Sequence, residues 1–205
     1  TQSRSSAASD VYKRQASFDE RTGQLSDLQL VAQELNPTYL AFSKAGFLYS
    51  VGAEKGLGGI ASFNPDHQLI NHVVEEGAPL CYVSVDEARG LVYGANYHKG
   101  QVLSYRIHED GHLTLVDQAT HQGSGPHENQ ASPHVHYADL TPDKLLITCD
   151  LGTDQVVVYQ VDDFGKLTEA QTYQTAPGAG PRHIIFHSHY KTAYLINELN
   201  ATIDV

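Results

Sequence analysis

Apolar and polar positions along this chain alternate in short runs, and helical periodicity is nearly absent. The stretches ASFNPDHQLINHVV, GQVLSYRIHEDGHLTLV and DQVVVYQVDDFGKLTEAQTY each carry β-rich residues on both sides of a polar turn, which predicts hairpins. Four further segments share one template: PTYLAFSKAGFLYSVGA from Pro37, LCYVSVDEARGLVYGAN from Leu80, VHYADLTPDKLLITCD from Val135 and PRHIIFHSHYKTAYLINE from Pro181. Each reads as an apolar strand, a polar turn and a second apolar strand. Tyr49, Tyr93 and Tyr194 recur at one position of the second strand and are expected in the core.

Aligned on the end of the first strand (Phe42, Val85, Leu140, Phe186), the segments place Thr38, Cys81, His136 and Arg182 in one column, at spacings of 43, 55 and 46. A period of about 40–50 residues with several short strands per unit marks a β-propeller. The fold class is therefore all-β: a propeller of four-stranded antiparallel blades. Its strands are A (HVHYADL), B (LLITCD), C (QVVVYQV) and D (KLTEAQTY). The chain is expected to hold strands C and D of one blade, three complete blades, and A, B and part of C of a fifth. A parallel α/β fold is disfavoured because no amphipathic helix separates the strands. A two-sheet sandwich is the main rival.

Ser5–Gln15 resembles the translated read-through of a sequencing adaptor, so residues 1–15 are set aside and the domain is read as 16–205. Both ends of the native stretch fall inside strands, which reads as an internal piece of a longer gene. Two unpaired blade edges would follow. The piece alone is expected to be poorly soluble or inactive. The chain carries Lys+Arg 13 against Asp+Glu 24, a net charge of −11. Such a balance argues against nucleic-acid binding. No apolar run is long enough to span a membrane. The two cysteines, Cys81 and Cys149, read as free buried thiols of a cytoplasmic protein. Residues 118–132 form a longer link, QATHQGSGPHENQAS, suited to a binding loop or a solvated connector.

Chemistry concentrates in the column. Arg182 opens one strand A and Glu198 closes the following strand B, so a hairpin brings them together. His136 opens strand A of the preceding blade. The column of Glu198 reads Ala53, Tyr97, Leu151, Glu198, with a carboxylate only in the blade that carries the arginine. His136, Arg182 and Glu198 should converge at one mouth of the central channel. A carboxylate or imidazole there can activate water, and a guanidinium can hold an anion or a developing oxyanion. The same residues could be a structural ion pair and a hydrogen-bonded strand histidine. His134-x-His136 would put two imidazoles on one strand face, a start for a metal site with loop His121 or His127. The DDFG tip is a hairpin turn and no kinase element accompanies it.

SPHVHYADLTPDKLLITCDLGTDQVVVYQV from Ser132 and GPRHIIFHSHYKTAYLINELNATIDV from Gly180 resemble the lactonase family of seven-bladed propellers. That family includes propeller-type 6-phosphogluconolactonases and carboxymuconate lactonising enzymes. The resemblance implies hydrolysis of a small anionic sugar lactone, foremost 6-phosphogluconolactone in the pentose phosphate route, without metal or cofactor. It implies His136, Arg182 and Glu198 as the catalytic trio, with either His136 or Glu198 as the base. It also implies His134, Tyr97, Gln130 and Asn197 as substrate contacts. Relatives often carry Arg-Gln in the link where this chain has Asn129-Gln130. A muconate cycloisomerase and a non-catalytic binding platform are the alternatives.

Overall fold

The computed structural model describes residues 12–205. All its regular structure is strand, in five antiparallel sheets. The first sheet pairs β1 (Tyr12–Asp19) with β2 (Gln24–Gln33). Three four-stranded sheets follow. They are β3 (Leu40–Phe42), β4 (Leu48–Glu54), β5 (Leu57–Phe63) and β6 (Leu69–Glu75); β7 (Tyr82–Asp86), β8 (Leu91–Asn96), β9 (Gln101–Ile107) and β10 (Leu113–Thr120); and β11 (Val135–Leu140), β12 (Leu146–Asp150), β13 (Gln155–Val161) and β14 (Leu167–Gln174). The last sheet holds β15 (Pro181–Phe186), β16 (Ala193–Asn197) and β17 (Thr202–Asp204). Two strands, three complete blades and three strands is the division expected from the repeat.

Of the segment set aside as adaptor-like, residues 1–11 lie outside the described residues. Tyr12–Gln15 form the start of β1 and pair with β2 between Gln29 and Gln33.

Burial follows the order of strands within a blade. The second strands β8 and β12 are buried along their whole length, whereas the outermost strand β14 is exposed after its first residue. An inner strand has a neighbouring blade on each face, so it reads as a continuous apolar run. One core cluster joins the sheets of β7–β10 and β11–β14 through Tyr93, Val102, Tyr137, Leu146 and Tyr159. Another joins the sheets of β3–β6 and β7–β10 through Tyr49, Val51, Ile60, Val83 and Tyr105.

Tyr49 and Tyr93 are fully buried, as expected of their position. The Tyr93 hydroxyl donates to Asp86 Oδ2 at 3.0 Å, and Arg89 Nη1 donates to the same oxygen at 2.7 Å, which closes the β7–β8 turn. Tyr194 is 37 % exposed, because it sits in the last sheet, where no described sheet packs on its outer face.

Candidate functional site

The A strands β11 and β15 do not run evenly. Val135 pairs with Asp150 and Tyr137 with Cys149, so His136 is an extra residue in the ladder. Pro181 pairs with Asn197 and His183 with Ile196, so Arg182 is extra in the same way. Both are β-bulges, which bend a strand and re-aim one side chain. In the two earlier blades, Thr38 and Cys81 stand just before β3 and β7. All four column residues line one cavity of 590 Å³, together with Asn36, Pro79, Leu80, Tyr97, His98 and Glu198.

The hairpin of β15 and β16 closes as its register requires. The Glu198 amide donates to Gly180 O at 2.8 Å and the Leu199 amide to Ala179 O at 3.0 Å. Arg182 Nη1 then meets Glu198 Oε2 at 2.6 Å, with the side chains 43 % and 41 % exposed. His136 lies beside this pair. Burial, and after it the Arg182 charge and the neighbouring His183, lower the His136 pKa to about 4. The imidazole is therefore neutral at neutral pH. Burial also pushes the Cys81 thiol up to about 12, so it stays protonated and is a poor nucleophile.

Tyr97 forms one wall of the cavity. Its ring stacks on His134, with centroids 4.3 Å apart and planes at 10°, and stands edge-on to His136 at 5.9 Å. His134 Nδ1 donates to the Tyr97 carbonyl at 2.9 Å. The His134 amide donates to Asp150 Oδ1 at 2.7 Å. Asp150 Oδ2 accepts from His121 Nδ1 at 2.8 Å, and His121 Nε2 accepts from the Tyr159 hydroxyl at 2.8 Å. A buried chain of hydrogen bonds thus runs from the blade core to the cavity wall. Gly152 allows this approach: a Cβ there would collide with Ser132 O and the His134 amide nitrogen.

The structure places several of the expected site residues away from the cavity lining. Gln130 is fully buried and does not line the cavity. Its amide donates to Leu151 O at 2.8 Å and Asp154 Oδ1 at 2.7 Å, while its Oε1 accepts from the His127 amide at 3.0 Å. Asp154 in turn accepts from the Gly178 and Gly180 amides, so Gln130 ties the 118–132 link to the start of the arginine blade. Asn197 is 1 % exposed, donates to Thr202 Oγ1 at 3.1 Å and is also outside the cavity lining. His134 supports Tyr97 and is not among the lining residues. The bulge at His136 breaks the alternation that would align His134 and His136 on one face. Both nitrogens of His121 are engaged, which removes it as a metal ligand. Among the described residues, no three metal-ligating side chains cluster.

A second column escaped the sequence reading. One residue after the first column stand Tyr39, Tyr82, Tyr137 and His183. Their rings touch in series: Tyr39–Tyr82 at 4.2 Å, Tyr82–Tyr137 at 4.7 Å and Tyr137–His183 at 5.5 Å. His183 also reaches His136, at 5.0 Å between centroids. The repeat alignment already held the signal, in the single histidine that replaces a tyrosine.

A sequence model described as "Lactonase, 7-bladed beta-propeller" matches residues 3–205. The chain belongs to this lactonase family. Among its lactonase-family relatives, the 6-phosphogluconolactonase of Bacillus subtilis is 42% identical over 191 residues, covering 89% of this chain and 54% of that protein. An uncharacterized protein of Lactococcus lactis subsp. lactis, YwcC, is 53% identical over 191 residues, covering 92% of this chain and 56% of that protein. A crystal structure of a Lactobacillus plantarum protein superposes with a TM-score of 0.90 at 44% identity, covering 93% of this chain and 57% of that one. The periplasmic gluconolactonase of Pseudomonas aeruginosa gives 0.81 at 30% identity, covering 92% and 58%. The chain thus spans a little over half the length of these relatives.

Proposed function

We propose that this chain contributes the catalytic face of a lactone hydrolase acting on a small anionic sugar lactone, foremost 6-phosphogluconolactone. The observation that carries the reading is the convergence of His136, Arg182 and Glu198 with Tyr97 on one cavity. Similarity to the Bacillus subtilis 6-phosphogluconolactonase and the Pseudomonas aeruginosa gluconolactonase supports it.

In this mechanism His136 is the base. Burial keeps its imidazole neutral, and Glu198 is already committed to Arg182. His136 takes a proton as water attacks the lactone carbonyl, a role worth roughly 10²–10⁴-fold in rate. A new C–O bond forms, and the carbonyl oxygen gains negative charge beside the Arg182 guanidinium. The ring C–O bond then breaks, its oxygen takes the proton from His136, and an open hydroxy acid leaves. Glu198 orients Arg182, and Tyr97 shapes the wall against which the ring lies.

The test is hydrolysis of 6-phosphogluconolactone by the full-length protein in EDTA, against the spontaneous rate. Clear acceleration supports the reading. A folded protein that gives no acceleration with this lactone or with gluconolactone overturns it.

A further inference from the structure

The cavity of His136 draws its polar lining from two parts of the chain. His136, Arg182 and Glu198 belong to the last two sheets, whereas Asn36 and Thr38 lie in the link that leads into β3 and His98 in the turn between β8 and β9. In the first group charge is already balanced: Arg182 meets Glu198 at 2.6 Å, and the His136 imidazole is neutral. A phosphate dianion would find no uncommitted cation there. Lys99, next to His98, is held by Glu75 at 2.9 Å and is outside the lining. In the second group nothing is committed. No hydrogen bond or ion pair among the described residues engages the side chains of Asn36, Thr38 or His98. The His98 ring stands edge-on to Tyr97 at 5.4 Å, and Tyr97 stands edge-on to His136 at 5.9 Å. The two imidazoles are thus separated by no more than those two distances together, a span that a six-carbon sugar phosphate can bridge. The cavity, at 590 Å³, lies within the range of about 300–1,000 Å³ that takes a whole small molecule.

We propose that Asn36, Thr38 and His98 form the subsite for the phosphate of a phosphorylated sugar lactone, and set the preference for it over the plain lactone. The proposal deepens the lactone-hydrolase reading and rests on it for the substrate. The Asn36 amide and the Thr38 hydroxyl donate to phosphate oxygens, and a protonated His98 adds a charged N–H donor. Hydrogen bonds between charged partners are the strong ones. Arg182 is then left to the carbonyl oxygen, so the two ends of the lactone have separate partners. The link that carries Asn36 and Thr38 is stiff: the Thr38 amide donates to Asn36 O at 2.8 Å across Pro37, whose ring fixes the backbone between them.

Calorimetric titration of the full-length protein with 6-phosphogluconate and with gluconate tests the subsite. His98→Ala, Thr38→Val and Arg182→Ala are compared with the wild type. His98 and Thr38 are exposed, so their variants should fold. The wild type should bind 6-phosphogluconate more tightly than gluconate. In His98→Ala and in Thr38→Val the ratio of the two affinities should fall roughly 10-fold, the effect of losing a hydrogen bond to a charged group. In Arg182→Ala the ratio should hold within about three-fold. A wild type that binds the two ligands equally overturns the subsite. So does a ratio that stays unchanged in both His98→Ala and Thr38→Val, and so does one that falls only in Arg182→Ala, which assigns the phosphate to the arginine. If the wild type hydrolyses no lactone, the functional reading falls, and the affinity ratios alone still decide the subsite.

Discussion

The proposed hydrolysis turns on two residues, His136 and Arg182. As the proposed base, His136 would act only above its own pKa, which burial has lowered to about 4. The acid limb of kcat/KM should therefore fall near pH 4, not near the 6.5 of an ordinary histidine. Rates measured from pH 3 to 8 in the wild type and in Glu198→Gln check this, and a limb that persists in the variant belongs to His136. Arg182→Ala should abolish turnover yet leave folding nearly intact. Its ion pair with Glu198 is about two-fifths exposed, and exposed pairs contribute at most about 1 kcal/mol. Thermal unfolding should then shift by no more than about 4 °C. The convergence of His136, Arg182 and Glu198 on one cavity was legible in the sequence because a repeat turns equivalent positions into one place in space. Gln130 and Asn197 stand outside the cavity lining, and sequence does not show what a buried amide donates to: here Asp154 and Leu151 for Gln130, and Thr202 for Asn197. His183 was missed because its column is otherwise made of core tyrosines.

At the scale of elements, the β11–β12 hairpin depends on a link that precedes it. His121 joins Asp150 to Tyr159, and Asp150 holds the His134 amide. His121→Ala would leave a fully buried carboxylate without its imidazole and a phenol without its acceptor. Loss of a buried hydrogen bond to a charged group costs roughly 1.5–3 kcal/mol. Urea unfolding of the full-length protein should show a fall of that order, with the slope unchanged. The Tyr97 wall should loosen too, and KM should rise. Strand order and hairpin turns were legible from alternation and from turn residues such as those of Asp86–Gly90. The bulges were not, because an extra residue in a ladder leaves no mark in an alternation only five or six residues long.

For the whole molecule, the repeat period already implied the ring-like arrangement of blades and the division of strands among five sheets. The two outer faces of the arc are apolar. Phe18, Leu25 and Leu30 are exposed at one end, and Ile185, Ile196 and Ile203 at the other. Exposed apolar strands favour self-association. The 205-residue chain should elute as higher-order species in size-exclusion chromatography with light scattering, and a protein of its relatives' length should be monodisperse. The bulges have a different consequence. A side chain at an unpaired ladder position is released from cross-strand partnership, so its identity is nearly irrelevant to assembly. His and Arg occupy that place in successive blades without disturbing the scaffold. Randomising residues 136 and 182 should therefore yield mostly folded proteins, whereas randomising Tyr137 or Ile184 should not.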